Sequence, residues 1–259
     1  MALTYPQAGT ASPACAWGLA YAWSGFAIMW AFWTCFAVFL ASPPWTKEHW
    51  PLPTIDSGGL ALHPALAALI DLALIGLFGL QHSVMARPWF KTHVAGRLPP
   101  AFERCTFVHA ANLALFALIL FWEPIPIEIW NAASPLREIL WAAFAAGWLI
   151  LLFGALSFGV FDLLGIEQMR LWYRGLPPPA PRLKTGLLYR WLPHPMYVGV
   201  LLAMWATPRM SLGHLLLATG MTVYVLIAMR YEERDLVAHF GTAYARWRAP
   251  AARHPRQAG

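Results

Sequence analysis

The chain has 259 residues, of which 59% are hydrophobic and 12% are charged, and its mean hydropathy is +0.52. An apolar surface of this size cannot be buried inside one aqueous domain, so lipid must act as the solvent for part of it. The formal net charge of +6 suits anionic lipid headgroups, and no nucleic-acid-binding module is recognisable, so we expect a membrane-embedded protein with no nucleic-acid partner.

Four apolar segments are long enough to be transmembrane helices, at residues 16–40, 60–80, 105–122 and 139–161. Each has about 18 to 25 residues, which at 1.5 Å per residue suffices to cross a hydrocarbon core of roughly 30 Å. The first is too long for the hydrophobic region of a cleavable signal peptide, and no Lys or Arg precedes it. We therefore expect it to remain as the first span.

The fifth apolar unit, at residues 196–229, is interrupted by Pro208. The part before the break would rise only about 18 Å as a helix, whereas the part after it is of full length. Short or broken membrane segments are tolerated where protein or a water-filled cavity surrounds them, and they often line sites. We predict an all-α membrane protein with one domain over residues 1–259, a bundle of five transmembrane units whose last is a hairpin with a short first arm.

Basic residues in the loops orient these spans. If the N-terminus is cytoplasmic, most of them and the Arg-rich tail fall on the cytoplasmic side: Arg87, Lys91, Arg97, Arg104, Arg170, Arg174, Arg182, Lys184 and Arg190. Only three basic residues would then fall on the other side, Lys47, Arg137 and Arg209. The excess of basic residues on the cytoplasmic side agrees with the positive-inside rule. We therefore expect a cytoplasmic connector at residues 162–195 and a cytoplasmic tail at residues 230–259.

The start of the hairpin is the first candidate site. Pro195 suits the first turn of a helix because its missing N–H would be unpaired there anyway, so the helix start directs N–H groups and the positive dipole end at an anion such as a carboxylate. Tyr197 can stack on a flat ring, and Gly199 allows close approach of its backbone. Alternatively, His194 and Pro195 only cap a helix and Tyr197 is an interfacial anchor.

The end of the hairpin carries two adjacent carboxylates, Glu232 and Glu233. Because the two arms of a hairpin end together, we expect them to return to the level of His194, where they could receive an ammonium group or ribose hydroxyls. The alternative is surface ion pairing with Arg230 and Arg234, worth about 0 to 1 kcal/mol.

A polar stripe lies on the second span. Asp71, Ile75, Phe78 and His82 follow at i, i+4, i+7 and i+11, which places Asp71 deep in the membrane and His82 at the cytoplasmic end. A charge at that depth is costly and usually faces the bundle interior.

A second polar stripe lies on the third span. It consists of Cys105, His109 and Asn112, with Arg104 at its cytoplasmic start. We expect the two stripes to face each other. Interhelical hydrogen bonds that merely hold the spans together are the alternative. The three cysteines, Cys15, Cys35 and Cys105, have no disulfide or zinc spacing, so no metal is expected.

Two motifs together carry a family resemblance. The pattern K-T-G-L-L-Y-R-x-x-P-H-P-M-Y-V-G at residues 184–199 and the pattern E-E-R-D-L-V-A-H-F-G-T-A-Y-A-R-W at residues 232–247 resemble the C-terminal half of the integral membrane methyltransferases, which include isoprenylcysteine carboxyl and phospholipid N-methyltransferases. T-I-D-S-G at 54–58, L-Q-H-S-V-M-A-R at 80–87 and F-D-L-L-G-I-E-Q at 161–168 are similar to the bacterial methanethiol S-methyltransferases.

The resemblance implies S-adenosylmethionine as methyl donor, with methanethiol converted to dimethyl sulfide and hydrogen sulfide as a possible second acceptor. It also implies a bacterial inner membrane. The implied cofactor-binding residues are Lys184, Tyr189, Arg190, His194, Pro195, Met196, Tyr197, Gly199, Glu232 and Glu233. Related sequences have Arg directly before the His-Pro pair where this chain has Pro193, so we expect Arg190 or Lys184 to supply the cation for the cofactor carboxylate.

Methylation of a thiol requires its thiolate, and an alkyl thiol with a pKa near or above the roughly 8.5 of cysteine is mostly protonated at neutral pH. His82 titrates in the range needed to accept that proton, and Arg104 or Arg87 could stabilise the developing anion. We therefore assign His82, Arg104 and Asp71 to catalysis. The expected substrate contacts are Ser83, Arg87, His109 and Asp162.

Two other functions stay open at this point. The first is the same methyl transfer to a lipid amine or a prenylated cysteine. The second is a non-catalytic membrane protein like the NnrU group, which would bind no cofactor and would tolerate substitution of His194 or Glu233.

Overall fold

The computed structural model describes residues 13–93, 95–177 and 182–249, without the side chains of residues 13–15, 47 and 95. Residues 178–181 of the predicted connector and 250–259 of the predicted tail lie outside this range, as do the side chains of Cys15 and Lys47. Within the described residues, five helices are long and apolar enough to cross a membrane, which confirms the predicted all-α membrane fold. They are α1 (Pro13–Ala41), α3 (Pro64–Ala86), α5 (Pro100–Leu120), α6 (Leu136–Phe158) and α10 (Leu212–Phe240).

Shorter elements connect these helices. The helices are α2 (Thr46–His49), α4 (Pro88–His93), α7 (Val160–Leu163), α8 (Ile166–Tyr173), α9 (Pro195–Trp205) and α11 (Thr242–Arg248), with 3₁₀ turns at Ala95–Arg97 and Leu187–Arg190. The strands are β1 (Glu128–Asn131) and β2 (Arg209–Ser211).

Proline defines where several helices begin. Pro64, Pro100 and Pro195 each occupy the first turn of α3, α5 and α9, where the ring presets φ and no helical hydrogen bond is lost. The other end of the last span differs more from expectation. The predicted return arm ends at residue 229, but α10 continues to Phe240 because residues 230–240 contain neither Gly nor Pro to stop it.

The chain forms two compact units, and α10 contributes to both. Of the described residues, the first unit comprises 13–93, 95–132, 160–177 and 209–217, and the second comprises 133–159, 182–208 and 218–249. In the first unit α5 packs against α1 and α3, and α8 packs against α1 and α5. Its core includes Met29, Cys105, Val108 and Met169.

The predicted break in the hairpin is a short strand in the first unit. Strand β2 pairs antiparallel with β1, with Trp130 opposite Met210 and Asn131 opposite Arg209. The Arg209 guanidinium lies 3.6 Å from the Asp56 carboxylate, which ties this small sheet to the loop before α3.

Helices α6 and α9 pack closely in the second unit. A Cβ added at Gly147 would lie 2.5 Å from the backbone N of Ala203, and one added at Gly199 would lie 2.5 Å from the backbone N of Leu151. The two backbones can approach this closely only because neither glycine has a side chain. The short arm of the hairpin is therefore anchored along α6.

Candidate active site

The connector that leads into α9 is anchored on the end of α6. The Leu188 N–H donates to Ser157 Oγ at 3.5 Å, and the rings of Tyr189 and Phe158 are 6.2 Å apart. Burial, with a smaller contribution from Glu232, raises the pKa of Tyr189 well above its usual range. This tyrosine therefore stays neutral and packs against the end of α6.

His194 is the N-cap residue of α9, and Pro195 occupies the first turn, as the sequence predicts. The imidazole Nε2 of His194 lies 2.9 Å from Glu233 Oε1, and its Nδ1 lies 3.9 Å from Glu232 Oε2. The Tyr197 hydroxyl donates to Glu232 Oε2 at 2.7 Å. The prediction that both glutamates return to the level of His194 is confirmed.

This group of four side chains is largely sheltered at its centre. The side chain of His194 is 11% exposed and that of Glu233 is 18% exposed, whereas that of Glu232 is 43% exposed. Burial lowers the pKa of His194, although Glu232 opposes that effect. The group therefore combines a mostly neutral imidazole, a held carboxylate and a more accessible carboxylate.

Sequence reasoning missed a fifth side chain that joins this group, Arg248. Its Nη1 forms an ion pair with Glu233 Oε2. Arg248 reaches this position because Gly241, at φ +51°, ends α10 and starts the return of the chain through α11. The only local signal was a glycine at the end of a helical pattern, since nothing in the spacing shows that a second helix folds back.

The other predicted cofactor residues have defined neighbours. The Lys184 ammonium lies 5.5 Å from the centre of the Phe158 ring, and the Arg190 guanidinium lies 5.6 Å from the centre of the Trp191 ring. Met196 faces Gly154, where an added Cβ would lie 3.0 Å from Met196 Cγ. Met196 and Gly199 thus pack on α6, and their predicted contact with a cofactor stays a prediction.

The predicted substrate residues all belong to the first unit. The ring of His82 lies 5.4 Å from that of Phe78 and 4.7 Å from that of Phe107, so two aromatic rings flank the imidazole. Arg87 terminates α3, and its Nε donates to the Ser83 carbonyl at 3.2 Å. His82, Ser83 and Arg87 therefore lie together at the end of this helix.

Arg104 and Asp162 are also brought together. Arg104 Nη1 donates to the Asp162 carbonyl at 2.9 Å and lies 4.0 Å from Asp162 Oδ1. The Gln168 amide donates to Asp162 Oδ1 at 2.7 Å. Asp162 therefore holds Arg104 at the start of α5.

The expectation that the two polar stripes face each other is wrong. His109 stacks on Tyr21 of α1, with ring centres 4.1 Å apart, and its Nε2 lies 3.0 Å from Ser24 Oγ. His82 meets a different side of α5, at Phe107. Residues 107 and 109 are about 200° apart around a helix, so His109 stabilises the contact of α5 with α1.

Asp71 is fully buried, as predicted, but its partner is a loop. The Glu123 N–H donates to Asp71 Oδ1 at 2.9 Å, and the Glu123 side chain accepts from the Leu60 N–H at 2.7 Å. Eleven residues separate Asp71 from His82, which is about 16 Å along a helix. The structure does not bring these two predicted catalytic residues together.

The sequence of this chain is similar to those of several known proteins. A family model described as phospholipid methyltransferase matches residues 141–243. The chain is 43% identical over 183 residues to a methanethiol S-methyltransferase of Mycobacterium tuberculosis, covering 70% of this chain and 75% of that protein. It is 42% identical over 192 residues to the methanethiol S-methyltransferase of Pseudomonas deceptionensis, covering 74% and 73%.

A weaker similarity extends to a vertebrate protein. The chain is 32% identical over 180 residues to nurim of Xenopus laevis, covering 64% of this chain and 61% of that protein. No solved structure matches the chain.

Proposed function

Because the chain belongs to the methanethiol S-methyltransferase family, we propose that this membrane methyltransferase transfers a methyl group from S-adenosylmethionine to methanethiol, producing dimethyl sulfide and S-adenosylhomocysteine. Hydrogen sulfide is a second acceptor of the same chemistry. The protein acts in a bacterial inner membrane with both termini in the cytoplasm, as the distribution of basic residues favours.

One observation carries this proposal, the convergence of two separate motifs at the start of α9. His194 and Tyr197 from the first motif bond to Glu233 and Glu232 from the second. The set fits such a donor, since carboxylates suit an ammonium group or ribose hydroxyls and aromatic rings suit a flat base. The helix start with Pro195 suits a carboxylate.

The bound donor supplies a methyl group that its sulfonium charge already activates. The chain's own residues then bind the donor, orient it towards the acceptor and exclude water. Glu232 is the accessible carboxylate and receives the ammonium group or ribose hydroxyls, while Glu233 keeps His194 in place. The site is supported by Tyr189, by Pro195 and by the backbone of α9.

His82 acts on the acceptor. Its imidazole would accept the thiol proton, and the bound donor would supply its methyl group to the thiolate sulfur and leave as S-adenosylhomocysteine. The Phe78 and Phe107 rings beside His82 suit a small apolar thiol. Arg104, held by Asp162, and Arg87 stabilise the developing thiolate.

The test supplies isotopically labelled donor and methanethiol to membranes that contain the protein and measures dimethyl sulfide in the headspace. The wild type should produce labelled dimethyl sulfide, and His82→Ala should reduce the rate by at least about 100-fold, the scale of a lost general base. Glu233→Ala should also reduce the rate, because it removes the partner that keeps His194 in place. His49→Ala and Glu138→Ala, at exposed positions, are the matched controls. Label in lipid or in a prenylated peptide instead of a volatile product would contradict the thiol assignment.

A further inference from the structure

The carboxylate of the proposed donor requires a cation in the site. The two cations expected from the sequence, Lys184 and Arg190, lie over the rings of Phe158 and Trp191. Arg248 lies within the group that surrounds the start of α9, since it pairs with the same Glu233 that bonds to His194.

We propose that Arg248 is a donor-binding residue whose guanidinium binds the carboxylate of S-adenosylmethionine at the start of α9. This inference rests on the proposed function and adds α11 to the binding site. It replaces the assignment of that cation to Lys184 or Arg190.

The position of Arg248 is built into the fold. From Glu233 to the end of α10 the chain rises about 10 Å, and the seven residues of α11 return a similar distance. Gly241 makes the reversal with φ +51°. Tyr244, 1% exposed, anchors α11 so that Arg248 comes back to the level of Glu233.

The charges of the group complement those of the donor. Glu232 and Glu233 provide two negative charges and Arg248 one positive charge, whereas the donor carries two positive charges and one negative charge. The side chain of Arg248 is 56% exposed, and a guanidinium has five N–H donors in a geometry that matches a carboxylate. It can therefore hold Glu233 and receive a second carboxylate, while Glu232 receives the ammonium group.

Binding to the purified full-length protein in detergent tests this assignment without relying on turnover. The two probes are S-adenosylhomocysteine and its decarboxylated analogue, measured by calorimetry for the wild type, Arg248→Gln and Arg248→Lys. Arg246→Gln is the matched control, because Arg246 is an exposed residue of the same helix that donates to the Thr242 carbonyl.

We expect Arg248→Gln to weaken binding of S-adenosylhomocysteine roughly 10-fold, as for loss of a charged hydrogen bond, and to leave binding of the decarboxylated analogue unchanged. Arg248→Lys should recover part of the loss. Equal weakening for both probes, or no weakening for either, would overturn the assignment of Arg248. A wild type that binds neither probe would instead contradict the proposed function, and this inference with it.

Discussion

The imidazole Nε2 of His194 lies 2.9 Å from Oε1 of Glu233, although 39 positions separate the two residues in the chain. This contact closes the hairpin of α9 and α10 at its polar end. It also joins the two motifs on which the family resemblance rests.

Replacing Glu233 by Gln should weaken donor binding and raise the KM for the donor more than it lowers kcat. The amide removes the charge that faces both His194 and Arg248, and loss of a charge-assisted hydrogen bond costs about 1.5 to 3 kcal/mol. Kinetics at varied donor concentration measure this. The control is Glu138→Gln, at an exposed position of α6, which should behave as the wild type.

Protonation of His194 should make the folded protein less stable as the pH is lowered. Burial holds the folded-state pKa of His194 below its ordinary value of about 6.5. The unfolded state therefore takes up the proton first as the pH falls, so the stabilising contribution is complete above about pH 6.5 and is lost as the pH falls through the folded-state pKa. We expect the Tm of the wild type to decline more steeply between pH 7 and pH 5 than that of His194→Gln. Parallel slopes would contradict this expectation.

A methyl group at Gly199 should disrupt the packing of α9 on α6. The Cβ of Gly199→Ala would lie 2.5 Å from the Leu151 backbone N and 2.7 Å from the Gly147 carbonyl oxygen, and backbone atoms cannot move aside as a flexible side chain can. We expect a loss of at least about 2 kcal/mol of stability, visible as a lower Tm and weaker donor binding. Gly76→Ala, where the added Cβ meets nothing within 4 Å, should keep the wild-type Tm.

The turn at Gly241 should require glycine for conformational reasons alone. An added Cβ there meets nothing within 4 Å, but φ is +51° with ψ −124°, a combination that other residues rarely adopt. Gly241→Ala should make the free energy of docking α11 onto the rest of its unit less favourable by about 1 to 3 kcal/mol. Proteolysis after Arg246 or Arg248 should become faster in the variant, with no change in the secondary structure of α10.

We expect Asp71 to contribute to the stability of the folded protein. Asp71→Ala leaves the buried Glu123 N–H without its acceptor, which costs about 1 to 3 kcal/mol, whereas Asp71→Asn retains an acceptor oxygen of the same shape. We expect the alanine variant to lose Tm and the asparagine variant to recover most of it. A large loss of turnover in Asp71→Asn at wild-type Tm would restore the catalytic assignment.

Much of the molecule follows from local properties of the chain. Runs of apolar residues determine the spans, Pro195 determines where α9 begins, and the i, i+4 and i+7 spacing of Asp71, Ile75 and Phe78 determines which face of α3 is buried. The meeting of His194 with the glutamates was also predictable, because the two arms of a hairpin must end together.

Contacts between separate elements were decided only by tertiary structure. A periodic pattern shows which side of a helix is polar but not which neighbour covers it, so His109 meets Tyr21 of α1 and Asp71 meets the Glu123 backbone. Arg248 joins Glu233 only because α11 folds back after Gly241. Sequence spacing sets directions within one helix, whereas partners across helices depend on how the side chains of all of them fill space together.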